Sequence, residues 1–268
     1  GIVEIAEPLV FQAAFLTGEV DIAPIPNNLI KDTVARTPGA TFRPIGRPTT
    51  QVMHYTGNFW LKGELLNREG TTQFPRPAYA EALAAPESFP WIGDIDDPES
   101  MERARKVRVA MTMATDQESI VRNVFDGFGT AHSAQIGFQP GDGYWKDEWD
   151  VPGFDPEGAK ALLAEAGYPN GFSFPMFIPV DVAPNIIPEA GYAVAQMWRD
   201  IGLDPVIDAS AYGAARDRRF DGQDNIIRLH LIATGDLDGE KGEGMGRVNT
   251  WYSTELPREI LDILAENV

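Results

Sequence analysis

The chain has 268 residues, 43% of them hydrophobic and 23% charged, so it is long enough and apolar enough to bury a substantial core. Its formal net charge of -18 argues against binding to nucleic acid, because phosphate contacts need clustered lysine and arginine. The absence of cysteine excludes disulfides, thiolate metal sites and a cysteine nucleophile. No apolar run approaches the roughly 20 residues that span a bilayer.

The first part of the chain shows an alternation of helical and extended patterns. Hydrophobic spacing and turn residues predict helices over residues 8–16 and 28–36, and strands over 20–25, 41–45 and 51–55. Five prolines interrupt residues 57–98, which predicts an insertion or peripheral loop region with one helix at 78–84.

Residues 103–129 predict two helices that meet at a corner. Four residues lie at helical spacing on one face of the first helix: Val107, Ala110, Met111 and Ala114. Thr115 and Glu118 have the spacing of a capping box for the second helix, which the pattern ends at Gly127 and Gly129. This stretch predicts a core-forming helical pair without catalytic residues.

The second half continues as alternating helices and strands. Asp155 and Pro156 predict the start of a helix whose buried stripe is Ala159, Leu162, Leu163 and Ala166. Another helix has its apolar face formed by Val194, Met197, Trp198 and Ile201. Strands are predicted over 172–180, 205–208 and 226–233, and further helices over 211–220 and 256–266. This order predicts an α/β lobe with a mixed sheet.

Three motifs carry a resemblance to a known family. They are FLTGEVDIA at 15–23, VRVAMTMATDQESIVRNVFDGFGTA at 107–131 and FDPEGAKALLAEAGYPNGF at 154–172. In this order they resemble the family 5 extracellular solute-binding proteins of bacterial ABC importers, which carry oligopeptides, dipeptides and nickel.

The resemblance implies a fold, a location and a role. The fold is a periplasmic-binding-protein-like (type II) α/β lobe, with a mixed β-sheet flanked by helices, spanning residues 1–268 as the second lobe of a two-lobe receptor. The N-terminal lobe and signal peptide would be absent from this chain. The protein would be extracellular or periplasmic, exported or lipid-anchored, and would deliver a captured solute to a membrane permease rather than act as an enzyme.

The resemblance also suggests a ligand site. Peptide-binding members have a W-x-x-D pattern after a strand, and alignment on Thr234 and Gly235 places its ammonium-binding carboxylate at Asp236, with Ala233 at the family's Trp position. A solvated acidic loop is the alternative interpretation. Dipeptide-binding relatives place an Arg near 180–183, where this chain has Asp181 and Val182. The resemblance makes peptide the first ligand class, and oligosaccharide is the second because both the Trp and the Arg of the peptide-binding members are missing and loop aromatics are plentiful.

Loop aromatics are the remaining ligand-binding candidates. Tyr144, Trp145 and Trp149 lie amid Gly and Asp, and their flat faces suit peptide side chains and sugar rings alike. No metal or cofactor is predicted, because the acids around Asp236 do not match an EF-hand and the histidines are scattered singly. His132 is the one histidine with a position that suits a cleft. A carboxylate-dependent hydrolase and a sensory module are the competing functions.

Overall fold

The computed structural model describes residues 8–23, 25, 27–42, 49–55, 65–66, 73–74, 77–94, 97–129, 131, 153–181, 187–214 and 227–233. Its helices are α1 (Pro8–Leu16), α2 (Asn27–Arg36), α3 (Pro77–Ala84), α4 (Pro98–Met113), α5 (Gln117–Asn123), α6 (Pro156–Glu165) and α7 (Ile187–Asp200). Its strands are β1 (Thr49–Tyr55), β2 (Leu65–Leu66), β3 (Gln73–Phe74), β4 (Ser173–Phe177), β5 (Asp204–Asp208) and β6 (Ile227–Ala233). None of these helices is long and apolar enough to cross a bilayer.

A mixed four-stranded sheet in the order β1-β6-β4-β5 organises the fold. β4 runs parallel to both β5 and β6, whereas β1 runs antiparallel to β6 with Thr49 opposite Ala233 and Tyr55 opposite Ile227. The predicted α/β class with a mixed sheet is therefore confirmed. β2 and β3 form a separate antiparallel pair inside the predicted insertion.

One face of the sheet is covered by helices. Phe174 and Met176 alternate along β4 on this face and are at most 2% exposed. The helices bury Met111 of α4, Leu163 of α6 and Trp198 of α7 in the same cluster. The predicted apolar stripes of α6 and α7 thus lie on the core, as their periodicity required.

The indole of Trp198 joins α7 to the end of α4. Its Nε1 donates a hydrogen bond to the Met111 carbonyl at 2.8 Å and a second to Thr115 Oγ1 at 3.2 Å. Its ring lies 5.7 Å from that of Phe174, measured between centroids. The same side chain therefore fixes the corner after α4 and packs on the sheet.

The cap of α5 differs from the prediction. Asp116 is the N-cap, and its Oδ1 accepts a hydrogen bond from the Ser119 N–H at 2.8 Å. Thr115 does not cap, because its hydroxyl donates back to the Met111 carbonyl at 2.9 Å. The helix ends at Asn123, before the predicted stop at Gly127 and Gly129.

The caps of the neighbouring helices follow the usual chemistry. Asp97 accepts from the Glu99 N–H at the start of α4. Asp155 caps α6 as predicted, since its Oδ1 accepts from the Gly158 N–H at 2.9 Å. The Asp155 N–H in turn donates to the Met113 carbonyl at 2.9 Å, which joins α6 to the end of α4.

Two predicted strands are absent from the part of the chain that the structure describes. Residues 20–23 and 25 are irregular, and so are residues 41–42, while 43–45 lie outside the described residues. A strand needs a hydrogen-bonded neighbour, and neither described sheet pairs with these segments. Of the predicted helix at 211–220, residues 212–214 are described and helical; the predicted helix at 256–266 lies outside the described residues.

A hydrogen bond between the partly buried Tyr55 and Thr112 connects β1 to α4. Burial raises the pKa of Tyr55 to about 12, although a hydrogen bond with Thr112 and the charge of Arg108 oppose the rise. Arg108 is 8% exposed and its Nη1 donates to the Trp91 carbonyl at 2.7 Å. A tyrosine with an ordinary pKa is already neutral at physiological pH, so the shift leaves the Tyr55 phenol neutral there, packed against the core.

Substitution of Trp198 by Phe tests the junction between α7 and α4. The free energy of unfolding should fall by about 2 kcal/mol, because a buried indole hydrogen bond is lost and the smaller ring leaves a cavity. Urea unfolding followed by circular dichroism measures the change. The control Tyr192→Phe, on the same helix at a residue 45% exposed, should change stability by less than about 0.5 kcal/mol. Equal midpoints for the two variants would contradict the role of the indole.

Substitution of Asp116 by Ala tests the identity of the cap. Loss of the carboxylate should lower the free energy of unfolding by about 1 kcal/mol, since the Ser119 N–H loses its acceptor. Glu118→Ala should change it by less than about 0.5 kcal/mol, because Glu118 is exposed. A larger loss for Glu118→Ala than for Asp116→Ala, in the same denaturation assay, would support the capping box centred on Thr115 instead.

Candidate functional site at the carboxyl edge of the sheet

Three parallel strands end at the same edge of the sheet. β4, β5 and β6 point their carboxyl ends there, and antiparallel β1 begins there because Thr49 pairs with Ala233. We call this the carboxyl edge. Ligands of open α/β sheets bind outside the carboxyl ends of the strands, so this edge is the candidate site.

The connections that leave β4 and β5 run side by side beyond the strands. The Ile178 N–H donates to the Asp208 carbonyl at 3.0 Å, and the Val180 N–H donates to the Ser210 carbonyl at 3.2 Å. Ile178 is fully buried, whereas Val180 is 46% exposed. These two bonds therefore hold the β4 and β5 connections in a fixed register as far as Val180, where the side chain is exposed to solvent.

Asp181 joins the same two connections through its side chain. Its Oδ1 accepts a hydrogen bond from the Tyr212 N–H at 2.6 Å, across 31 residues of sequence. Tyr212 begins the helical turn at 212–214, so an acid from another segment accepts from an N–H at the start of that turn. Asp181, in the segment near which the resemblance implies an Arg in dipeptide-binding relatives, thus makes a structural contact.

The described part of the carboxyl edge is negatively charged. Within residues 178–181 and 208–214 the charged side chains are Asp181 and Asp208, and both residues are exposed. Acids at such positions attract an ammonium group and repel a carboxylate. Among the described residues of this edge, the charge is therefore negative and exposed to solvent.

The residues predicted from sequence to bind ligand stay predictions. Thr234, Gly235 and Asp236 follow Ala233, the last residue of β6, and Tyr144, Trp145 and Trp149 precede α6; all six lie outside the described residues. The contact of Asp181 with Tyr212 was not predicted. No local sequence pattern indicates it, because its two partners come from different connections.

The histidines add no site among the described residues. The side chains of His54 and His230 and the whole of His132 fall outside them. In the described ranges no group of three or more His, Asp or Glu side chains is arranged to hold a metal ion.

Substitution of Asp181 tests how the carboxyl edge is held together. Asp181→Ala should speed amide hydrogen exchange at Tyr212 about tenfold, because the charge-assisted bond is lost. Asp181→Asn, which keeps an acceptor, should have a smaller effect. The control Asp208→Ala should leave exchange at Tyr212 unchanged. Exchange rates measured by NMR that do not differ among these variants would show that the side-chain bond does not order this connection.

Comparison with known proteins places the fold in a family. The family described as bacterial extracellular solute-binding proteins, family 5 Middle, matches residues 2–239. Heme-binding protein A of Haemophilus influenzae is 41% identical over 100 residues, which are 37% of this chain and 18% of that protein. The dipeptide-binding protein of Escherichia coli K12 is 32% identical over 127 residues, 46% of this chain and 23% of that protein.

Solved structures share the fold at greater sequence distance. The dipeptide binding protein of Pseudoalteromonas sp. SM9913, crystallised with Met-Leu, has a TM-score of 0.57 and 19% identity, over 97% of this chain and 44% of that one. This chain therefore spans less than half of that structure's length. Because the family match extends from residue 2 to residue 239, the chain belongs to the family 5 bacterial extracellular solute-binding proteins.

Proposed function

We propose that this chain is one lobe of the substrate-binding component of an ABC import system. The whole receptor captures a solute on the outer side of the cytoplasmic membrane and delivers it to the membrane permease. The match to the solute-binding family over residues 2–239 carries the proposal. Members of the family are transport binding proteins, so the role is binding rather than catalysis.

The ligand site of the proposal is the carboxyl edge. Two lobes that close about a hinge bury a ligand between them. The membrane permease can then distinguish the closed, ligand-bound form of the receptor from the open form. The register between the β4 and β5 connections supports this assignment, because it gives one wall of such a cleft a fixed shape. An isolated lobe should bind weakly, since half of the ligand's contacts come from the other lobe.

A peptide with a free amino terminus is the ligand class that the charges favour. Asp181 and Asp208 are exposed at the described edge, and Asp236 follows β6 directly in the sequence. A carboxylate suits an ammonium group because the charge-assisted bond is strong in a closed cleft. The relative named dipeptide-binding protein agrees with this class.

Heme is the second candidate ligand. It is favoured by the 41% identity to a relative named heme-binding protein A. The charge of the edge argues against it, because heme carries two carboxylates that Asp181 and Asp208 would repel.

A thermal-shift screen of the natural gene product that carries this chain tests the proposal. Pools of dipeptides, oligopeptides, oligosaccharides and hemin are compared, since a ligand at about 100 times its dissociation constant adds roughly 2.7 kcal/mol of stability. We expect stabilisation by free peptides, loss of it with Nα-acetylated peptides, and loss of it in Asp236→Ala. The matched variant Asp238→Ala should retain binding.

Other outcomes of the screen decide against parts of the proposal. Stabilisation by hemin or oligosaccharide alone would keep the receptor and discard the peptide. Equal binding by Asp236→Ala and the unaltered protein would remove Asp236 from the site. No response to any pool would contradict the importer function.

A further inference from the structure

The turn that leads from α6 into β4 contains the one Asn-Gly pair of the sequence, Asn170-Gly171. Pro169 and Asn170 occupy its two central positions, and both are exposed. The Gly171 N–H donates to the Tyr168 carbonyl at 3.1 Å, which closes the turn. The carboxamide of Asn170 has no hydrogen-bond partner among the described residues, so no described contact fixes its orientation.

An asparagine that precedes a glycine can react with the main chain that follows it. The nitrogen of Gly171 forms a bond to Cγ of Asn170, and the carboxamide C–N bond breaks. Ammonia leaves with the proton of the Gly171 N–H, and a five-membered succinimide ring remains. Water then opens the ring at either of its carbonyls, which gives aspartate or isoaspartate at position 170. Glycine favours the attack, since it has no side chain to hinder its own nitrogen.

The main chain on the other side of this pair is tightly packed. Gly171 has a φ of +71°, and a Cβ added to it would overlap the Gly202 carbonyl oxygen. The Asp204 N–H donates to the Phe172 carbonyl at 2.9 Å, just before β4 begins. The rings of Tyr168 and Phe172 lie 5.2 Å apart between centroids. A change in main-chain length at position 170 would therefore be transmitted to the start of β4 and β5.

We propose that Asn170 is a site of spontaneous deamidation whose rate is set by the hydrogen bond between Gly171 and Tyr168. The attacking nitrogen must first leave the Tyr168 carbonyl, so the reaction proceeds from the minority of molecules in which the turn is open. Because ammonia is lost to solution, the step is not reversed, and modified chains accumulate with the age of the protein.

The two products differ in what they do to the fold. Aspartate adds a negative charge to an exposed turn and leaves the main chain as it was. Isoaspartate adds the same charge and also lengthens the main chain by one carbon atom beside Gly171, where the contact with Gly202 leaves no room. Isoaspartate is therefore the product that disturbs the pairing of β4 with β5.

Asn123 is an asparagine of the same chain that should not react. It is the last residue of α5, and its Nδ2 donates to Ser119 Oγ at 2.9 Å. The next residue is Val124, whose β-branched side chain crowds the nitrogen that would attack. Asn123 therefore serves as the internal control.

Peptide mapping by mass spectrometry tests the site. The natural gene product that carries this chain is incubated at mildly alkaline pH and sampled over several weeks. Conversion of amide to acid should be at least about tenfold faster at Asn170 than at Asn123, because the Asn123 side chain is bonded and its following nitrogen is crowded. Unfolding in guanidinium chloride should speed the reaction at Asn170 by about tenfold or more, since the turn is then open in every molecule. Asn170→Gln should abolish it, because a glutamine must form a larger ring.

Hydrogen exchange tests the effect on the strands. Ion-exchange chromatography separates the modified chains, and those with isoaspartate should exchange the Asp204 N–H about fivefold faster or more. The control Asn170→Asp adds the charge without the extra main-chain atom, so it should leave exchange at Asp204 unchanged.

Three results would overturn the inference. Equal rates at Asn170 and Asn123 in the folded protein would remove the modification site. Equal rates at Asn170 in folded and unfolded protein would remove the control by the Tyr168 hydrogen bond. Unchanged exchange at Asp204 in chains with isoaspartate would show that the start of the sheet absorbs the added atom. These measurements use no ligand, so their failure leaves the importer proposal untouched.

Discussion

The packing of Trp198 against both the sheet and the corner after α4 is the interaction on which the described fold depends. Its ring contacts Phe174 of β4, and its Nε1 donates to the Met111 carbonyl at 2.8 Å. Met197, the preceding residue, accepts the Asp116 N–H through its sulfur at 3.3 Å. α7 thereby orients α4 and α5 relative to the sheet. α7 also lies in the connection between β4 and β5, the crossover that makes these two strands parallel neighbours at the carboxyl edge.

Local sequence patterns correctly predicted the features that depend on residues close together in the sequence. The cap at Asp155 and the apolar stripes of α6 and α7 are confirmed, because each depends on residues within a few turns of one helix. The prediction for the cap of α5 was wrong by one residue. The Thr115 hydroxyl donates to the Met111 carbonyl instead, and the spacing of residues in the sequence does not reveal this competing bond. The prediction of a strand at 20–25 was wrong for a different reason. A strand forms only where its backbone can pair with a neighbouring strand, and sequence periodicity does not specify that neighbour.

The candidate site likewise combines features that the sequence indicates with contacts between residues far apart in the sequence. Sequence resemblance indicated the segment after β6 and the absence of an Arg near Asp181, which are properties of aligned positions. The bond between Asp181 and the Tyr212 N–H spans 31 residues and follows from the parallel pairing of β4 with β5. Sequence spacing alone does not specify this pairing. The role of Asp236 and of the three loop aromatics depends on geometry outside the described residues, so it stays a prediction.

The acidic carboxyl edge is explained by the proposed lobe that functions against a second lobe. Lobe closure needs a wall whose backbone keeps its shape while the lobes move. The bonds from the Ile178 N–H to the Asp208 carbonyl and from the Val180 N–H to the Ser210 carbonyl hold the backbone of this edge. Asp181 and Asp208 lie exposed on the same backbone. We infer that this edge is the wall that receives a ligand's ammonium group when the lobes close.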